Sequence, residues 1–359
     1  MNAGGAETFL MKLYRRLDKT GYQMDFCINV AEKCDYEDEV LALGGRIYRI
    51  PMKTEKPKEF QRQLTHVVRE NGYRNVLRVT SSAVGFWDLK IAKEAGATRT
   101  IARSSNASDG DGLVPLLAHK IGRRFWMDAV DVKIAPSDLA AIHTFGARAY
   151  QNGEVALLRN GLDLDVYRFD ADARRHIRAE FGFSDAITVI GHVGRFNQQK
   201  NHAFLIELFS AYHAQDPNAK LLLVGEGTLR EEILRSVEEK NLLHSVIFAG
   251  LREDVPAMLS AMDVLAFPSF YEGMPNVVIE AQATGLPCVI SDAITREADV
   301  TGLVRYVSLD QDAAFWAEAV RKQAALPRQD TRAAMISAGY DIDSVLARFI
   351  ALAFGDAEP

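Results

Sequence analysis

The sequence predicts an α/β protein made of two doubly wound, Rossmann-like domains, and three observations carry that reading. Short β-rich runs alternate with longer helix-period segments along the whole chain. A length of 359 residues suits two cores of ordinary size. A turn signal, Asn160-Gly161 within Leu157–Asp163, falls near the middle and marks a junction. The first domain is therefore expected over residues 1–160 and the second over 161–339.

In chain order, the first half offers strands at Asp25–Val30, Arg46–Ile50, Asn75–Thr80, Thr98–Arg103 and Val132–Ala135. Helical periodicity at Glu7–Leu17, Phe60–Asn71 and Phe86–Ala95 falls between them. The second half repeats the alternation, with strands at Ile187–Val193, Lys220–Val224, Val246–Phe248, Val264–Phe267 and Pro287–Ser291. The opening Met1-Asn2-Ala3-Gly4-Gly5-Ala6-Glu7 reads as a strand-to-helix glycine loop with no strand ahead of it. A doubly wound sheet without its first strand leaves neighbouring edges open, so a native upstream strand is expected.

Composition narrows the class. The hydrophobic fraction of 48% and the charged fraction of 25% are those of a globular protein, and no apolar run is long enough to cross a bilayer. Cys27, Cys34 and Cys288 form no Cys-x-x-Cys pair, which argues against disulfides and zinc and for a reduced, cytoplasmic setting. Net charge is −6, divided unevenly: residues 1–160 hold 24 Lys+Arg against 19 Asp+Glu, and residues 161–359 hold 18 against 29. A basic first half suits peripheral contact with an anionic membrane or a phosphorylated acceptor, although charge alone favours a plain solvated surface with no partner. Nothing in the pattern points to nucleic acid.

Chemistry concentrates in four loops of the second half, each after a predicted strand, where open α/β sheets gather ligands. The first is Gly194-Arg195-Phe196-Asn197-Gln198-Gln199-Lys200-Asn201. Gly194 admits a close backbone approach, and Arg195 and Lys200 offer a planar fork and a point charge to a diphosphate. The second loop, Gly225-Glu226-Gly227, follows Leu221-Leu222-Leu223-Val224. The third, Gly250-Leu251-Arg252, presents backbone groups to a base edge, with Asp254 as cap of the helix that follows. The fourth runs Glu272-Gly273-Met274-Pro275-Asn276-Val277-Val278-Ile279-Glu280. Pro275 is well placed near the first helical position, where a missing N–H costs nothing, and the free amides of the helix start attract phosphate. Glu272 in the loop and Glu280 in the helix can accept from hydroxyls at either end of a sugar nucleotide. Two ordinary glutamates at this spacing also arise by chance.

Together these loops resemble the retaining glycosyltransferases of family 4, the group 1 glycosyltransferases of GT-B architecture. The resemblance rests on Gly194-Arg195-Phe196, Gln199-Lys200-Asn201 and the Glu272/Glu280 pair, with Arg159-Asn160-Gly161 where the family's linker has Pro-Asn-Gly. Gly4 and Gly5 resemble the glycine loop of the family's first domain. The resemblance implies two Rossmann-like domains facing a cleft, with a C-terminal helix near Ser344–Phe354 (about 340–359 in all) crossing back to the first. It implies that Arg195 and Lys200 neutralise the leaving diphosphate in place of a metal, and that no other cofactor is needed. Glu272, with Gly273, Met274 and Asn276, would hold the transferred sugar, and Glu280 the ribose. Gly194, Gly225, Glu226, Leu251, Arg252 and Pro275 complete the implied donor site. The substrates would be a UDP- or GDP-sugar and a glycan or lipid-linked acceptor at the inner membrane face.

One departure stands out. Relatives of this type carry histidines in a stretch like Ile-Ala-His-Ser-His-Asn, which here reads Ile101-Ala102-Arg103-Ser104-Ser105-Asn106. His119 and His143 match no motif. Arg103 and Asn106 thus stand as acceptor-side candidates, Arg103 towards a phosphate. The lost histidines leave open a second reading, a non-catalytic nucleotide-sugar-binding protein or assembly subunit. A sugar epimerase is a third, against which the combined glycine-arginine and glutamate motifs argue.

Overall fold

The computed structural model describes residues 5–105 and 113–355. Its contacts fall into two compact units, Met1–Gly161 with Gly339–Pro359, and Leu162–Ala338. The first unit holds β1 (Phe26–Ile28), β2 (Ile47–Arg49), β3 (Asn75–Thr80), β4 (Arg99–Ser104), β5 (Val132–Ala135) and β6 (Val155–Leu157). The second holds β7 (Val189–Val193), β8 (Lys220–Val224), β9 (Val246–Gly250), β10 (Val264–Phe267), β11 (Cys288–Ser291) and β12 (Val304–Val307).

In the second unit all six strands join one parallel sheet in the order β12-β11-β10-β7-β8-β9. Strict alternation explains how it is covered on both faces. Leu221 and Leu223 pack with Leu205, Phe209, Trp316 and Val320 from the helices His202–His213 and Ala313–Ala324. Their neighbours Leu222 and Val224 point the other way, to Met258, Val278 and Ala281 of the helices Val255–Ala261 and Asn276–Ala283. Strands buried on both faces read as unbroken apolar runs. The order reverses between β7 and β10, and the loops beyond these strands meet where Rossmann-like sheets bind ligands.

The first unit is divided. β1 and β2 pair parallel as one small sheet, and β3-β4-β5-β6 form another. The helices Gly5–Arg16 and Ile342–Phe354 cover one face, placing Phe9, Leu13, Val345 and Phe349 on Ile101 and Ile134. The opposite face carries Phe86 and Leu89 of the helix Phe86–Glu94 against Ala102 and Ala135.

Asn75–Thr80, Val132–Ala135, Lys220–Val224 and Val264–Phe267 have the bounds read from the sequence, and the other expected strands differ by a few residues. Two strands escaped prediction, β6 and β12. Both are outermost in their sheets and short, and β12 carries the exposed Arg305. Burial on both sides is what lengthens an apolar run, and an edge strand lacks it. Pro275 stands immediately before the helix Asn276–Ala283, next to its first position. One local expectation needs correction. Asp254 makes no side-chain cap and instead accepts from Arg252.

Candidate functional site

The loops after β7, β8 and β9 are stitched by backbone hydrogen bonds. The Gly194 amide donates to Val224 O at 2.9 Å, the Gly225 amide to Gly250 O at 2.8 Å, and the Phe196 amide to Glu226 O at 2.9 Å. Gly225 sits at φ +135°, where a Cβ would meet the Gly194 carbonyl oxygen at 2.1 Å. Only glycine permits both the conformation and the approach.

The end of the first loop is set by asparagines. Asn197 accepts from the Lys200 amide at 3.2 Å, and Asn201 takes the left-handed region at φ +53°, which Asn tolerates. The helix His202–His213 starts there. Gln199 then pins this loop to the one after β10. Its carbonyl accepts from the Phe270 amide at 2.9 Å, and its side-chain amide donates to Tyr271 O at 2.9 Å.

The Lys200 ammonium lies 2.6 Å from Glu272 Oε1 and 4.5 Å from the centre of the Phe267 ring. The two charged side chains are only 15% and 10% exposed, so the pair is largely withdrawn from water. Such a pair is strong but costly to desolvate. Arg195 is exposed and has no ion pair among the described residues. The loop therefore presents one cation held in place and one left open.

Behind Lys200 stands a wall of aromatic rings that sequence reading passed over. His192 is fully buried and donates from Nδ1 to Ala266 O at 2.9 Å. Its ring centre is 4.7 Å from that of His202, and His202 is 4.8 Å from Phe196. Burial, then the neighbouring His202, holds His192 far below the usual histidine range, and burial with the Lys200 charge pulls His202 down to about 4. Both imidazoles are neutral at physiological pH, which leaves Lys200 as the charge of that wall. Two histidines flanking a glycine-arginine loop were the available signal.

Glu280 is half-buried and accepts a hydrogen bond from the Tyr167 hydroxyl, whose acidity is suppressed by burial and by the Glu280 charge. Tyr167 follows the junction, more than a hundred positions upstream in the sequence, and no motif flags it. Met274 packs on the apolar core beneath the loop, and Asn276 opens the helix with an exposed side chain. Gly273 stays half-buried beside them, and Leu251 is 80% exposed. Glu226 leans towards Arg230 at 3.5 Å. Among the described residues, no three His, Cys, Asp or Glu side chains cluster as a metal site.

Two predicted site residues are otherwise engaged. Arg252, expected at the donor, is held by Glu180 and Asp254, each at 2.7 Å. Arg103, expected to face an acceptor, is 2% exposed. Its guanidinium lies 3.6 Å from the Phe9 ring centre and donates to Asn160 Oδ1 at 2.6 Å, so it packs inside the first unit. His119, also buried, accepts at Nδ1 from the Ala83 amide and stacks near His143, in a structural role. Gly5 begins the first helix. Gly4 and Asn106 lie outside the described residues.

Comparison with known proteins bears on family and fold. The family profile described as Glycosyl transferases group 1 matches residues 187–325. The EpsF protein of Bacillus subtilis is 36% identical over 349 residues, covering 95% of this chain and 91% of that one. A UDP-Gal:alpha-D-GlcNAc-diphosphoundecaprenol alpha-1,3-galactosyltransferase of Escherichia coli is 31% identical over 143 residues, covering 39% of this chain and 37% of the enzyme. Among solved structures, Anabaena HepE in complex with UDP superposes with a TM-score of 0.74 at 16% identity, over 96% of this chain and 95% of that one. At that identity the likeness establishes the GT-B fold.

Proposed function

Because the chain belongs to the group 1 glycosyltransferases, we propose that it is a retaining, metal-independent transferase. It moves a hexosyl or N-acetylhexosaminyl group from a UDP- or GDP-sugar to a glycan or lipid-linked acceptor in polysaccharide synthesis. The observation that carries this reading is the Lys200–Glu272 pair at 2.6 Å, built across two loops beside the open Arg195. It sets a desolvated positive charge next to a carboxylate at the sheet's ligand-binding edge.

In the reaction, the bond between the sugar's anomeric carbon and the diphosphate oxygen breaks. Negative charge grows on that oxygen, and Lys200 and Arg195 stabilise it. The acceptor hydroxyl forms the new bond on the same face and passes its proton to the departing phosphate. Glu272 aims Lys200 and accepts from sugar hydroxyls. Glu280, oriented by Tyr167, accepts from the ribose. The diphosphoundecaprenol-linked substrate of the Escherichia coli relative supports a lipid-linked acceptor, and the UDP bound to HepE favours uridine.

Contact with an anionic membrane at the inner face is part of the proposal. The helix Leu113–Trp126 supports it, since Val114, Leu117, Ile121 and Phe125 are exposed at helical spacing beside the exposed Lys120 and Arg124. An apolar stripe edged by cations suits a lipid interface.

Thermal denaturation with UDP, GDP and ADP, followed by transfer assays with the matching sugar conjugates, tests the reading. A melting shift with one nucleotide, lost in Glu280→Gln, and label transfer to a lipid-diphosphate sugar are the expected results. Nucleotide binding without transfer to any acceptor would favour a binding subunit. Sugar interconversion without acceptor would make it an epimerase.

A further inference from the structure

Lys200 and Glu272 hold each other and little else. Among the described residues, the Lys200 ammonium makes one hydrogen bond, to Glu272 Oε1 at 2.6 Å, and Glu272 Oε2 makes none. Beyond that bond the ammonium has only the face of the Phe267 ring, at 4.5 Å. Asp263, in the same unit, shows how a carboxylate is fixed for a structural task. It accepts from Arg174, from Arg178 and from the Val189 amide, so its place does not depend on any one of them. Glu272 has no such anchor. Its backbone is held, since Gln199 ties the preceding Phe270 and Tyr271, but its side chain is secured by the cation alone.

Separating a buried ion pair without new partners is strongly unfavourable. The imidazoles behind Lys200, His192 and His202, are neutral at physiological pH and offer it no counter-charge. A ligand that draws Lys200 away must therefore satisfy both halves of the pair. A sugar ester of a nucleoside diphosphate does so, because its diphosphate takes the ammonium while sugar hydroxyls donate to the carboxylate. A free nucleoside diphosphate satisfies only the cation. It leaves Glu272 without a donor and facing an anion, whose terminal phosphate carries one more negative charge than in the ester.

Resting on the transferase reading above, we propose that Glu272 competes with the diphosphate for Lys200. It thereby makes the site favour the sugar nucleotide over the nucleoside diphosphate that the reaction releases. In the empty site the carboxylate neutralises the cation, and the arriving donor exchanges both partners at once. Once the sugar has left, its hydroxyls are gone, the Lys200–Glu272 pair re-forms and the nucleotide is expelled. Arg195, exposed and outside any ion pair among the described residues, meets the diphosphate without taking part in this exchange. A carboxylate that only aimed the ammonium would act with the opposite sign, since its loss would weaken diphosphate binding.

Calorimetry in the presence of EDTA measures UDP and GDP, then UDP-glucose, UDP-N-acetylglucosamine and GDP-mannose, against wild type and Glu272→Gln. Glutamine keeps the shape of the side chain and can still accept from Lys200, so charge is the main change. The nucleoside diphosphate that binds wild type is expected to bind Glu272→Gln about tenfold more tightly or better, as a like charge is withdrawn from its site. A sugar ester should gain nothing, so that any preference for it over the diphosphate shrinks. Unchanged or weakened diphosphate binding in Glu272→Gln overturns the proposal. The melting temperature without ligand shows that the variant is folded. Glu272→Ala, which removes the carboxylate and leaves no acceptor, should give the same gain, and a loss of diphosphate affinity there also overturns it. Absence of binding by every nucleotide, in wild type and variants alike, would instead overturn the transferase reading, and this proposal with it.

Discussion

The two units share one plan and differ in how completely they carry it out. In the second, a six-stranded sheet has no gap, and β10 and β11 are buried along their whole length. In the first, the same kind of sheet is broken between β1 and β3, and the strand at the break is half-buried. The contrast teaches that sheet continuity supplies the rigidity on which a site can be built. The loops holding Gly194, Lys200 and Glu272 rise from the unbroken sheet, tied by backbone bonds at 2.8–2.9 Å.

The comparison is broken most severely at the charge pair. Lys200→Ala is expected to lower kcat/KM by about 10²–10³, as for the loss of one group stabilising a developing anion, with the fold retained. Steady-state kinetics on a protein with unchanged circular dichroism checks this, and wild-type turnover would remove Lys200 from the chemistry.

Next come the cores. Leu222→Ala in β8 should cost about 2–5 kcal/mol, because a fully buried side chain leaves a cavity among fixed neighbours. Leu77→Ala in β3 should cost about 1 kcal/mol, since its neighbour is already a hollow. Denaturant unfolding followed by exchange in each unit separately reads the difference, and equal losses would deny that the first sheet is incomplete.

Acid sharpens the contrast further. His192 and His202 have folded values below the unfolded 6.5, so the unfolded chain binds more protons in between. The stability they contribute is complete above about pH 6.5 and is lost as pH falls towards 4. The second unit should therefore loosen in that window, and His202→Phe should flatten the dependence. A pH-stability profile identical in wild type and variant would show that the pair does not titrate this way.

The smallest effects are expected at the ribose end. Glu280→Gln should weaken nucleotide affinity by about tenfold, and Tyr167→Phe by about fivefold through loss of one orienting hydrogen bond. Calorimetry with the nucleotide that shifts melting distinguishes them, and equal affinities would detach Glu280 from the donor.

Much of the second unit was legible because its signals are local. Leu221-Leu222-Leu223-Val224 announces a buried strand by itself, and Gly194, Arg195, Lys200, Glu272 and Glu280 lie within short motifs. Tyr167, by contrast, reaches Glu280 across more than a hundred positions, and the two buried histidines belong to the site only through packing. Arg103 shows the converse error: its charge suggested a ligand, but a carbonyl-type oxygen at Asn160 and the ring of Phe9 had already claimed it.

By itself, then, the sequence determined the α/β alternation, the junction near Asn160-Gly161 and the glycine and glutamate motifs, since periodicity, turn chemistry and charge act over a few residues. Tertiary structure alone decided which charges face one another. Lys200 finds Glu272, Arg252 is absorbed by Glu180 and Asp254, and two open strand edges enclose a hollow. Pairing and burial depend on distances that sequence separation does not set, because the sheet order brings together residues that the chain keeps far apart.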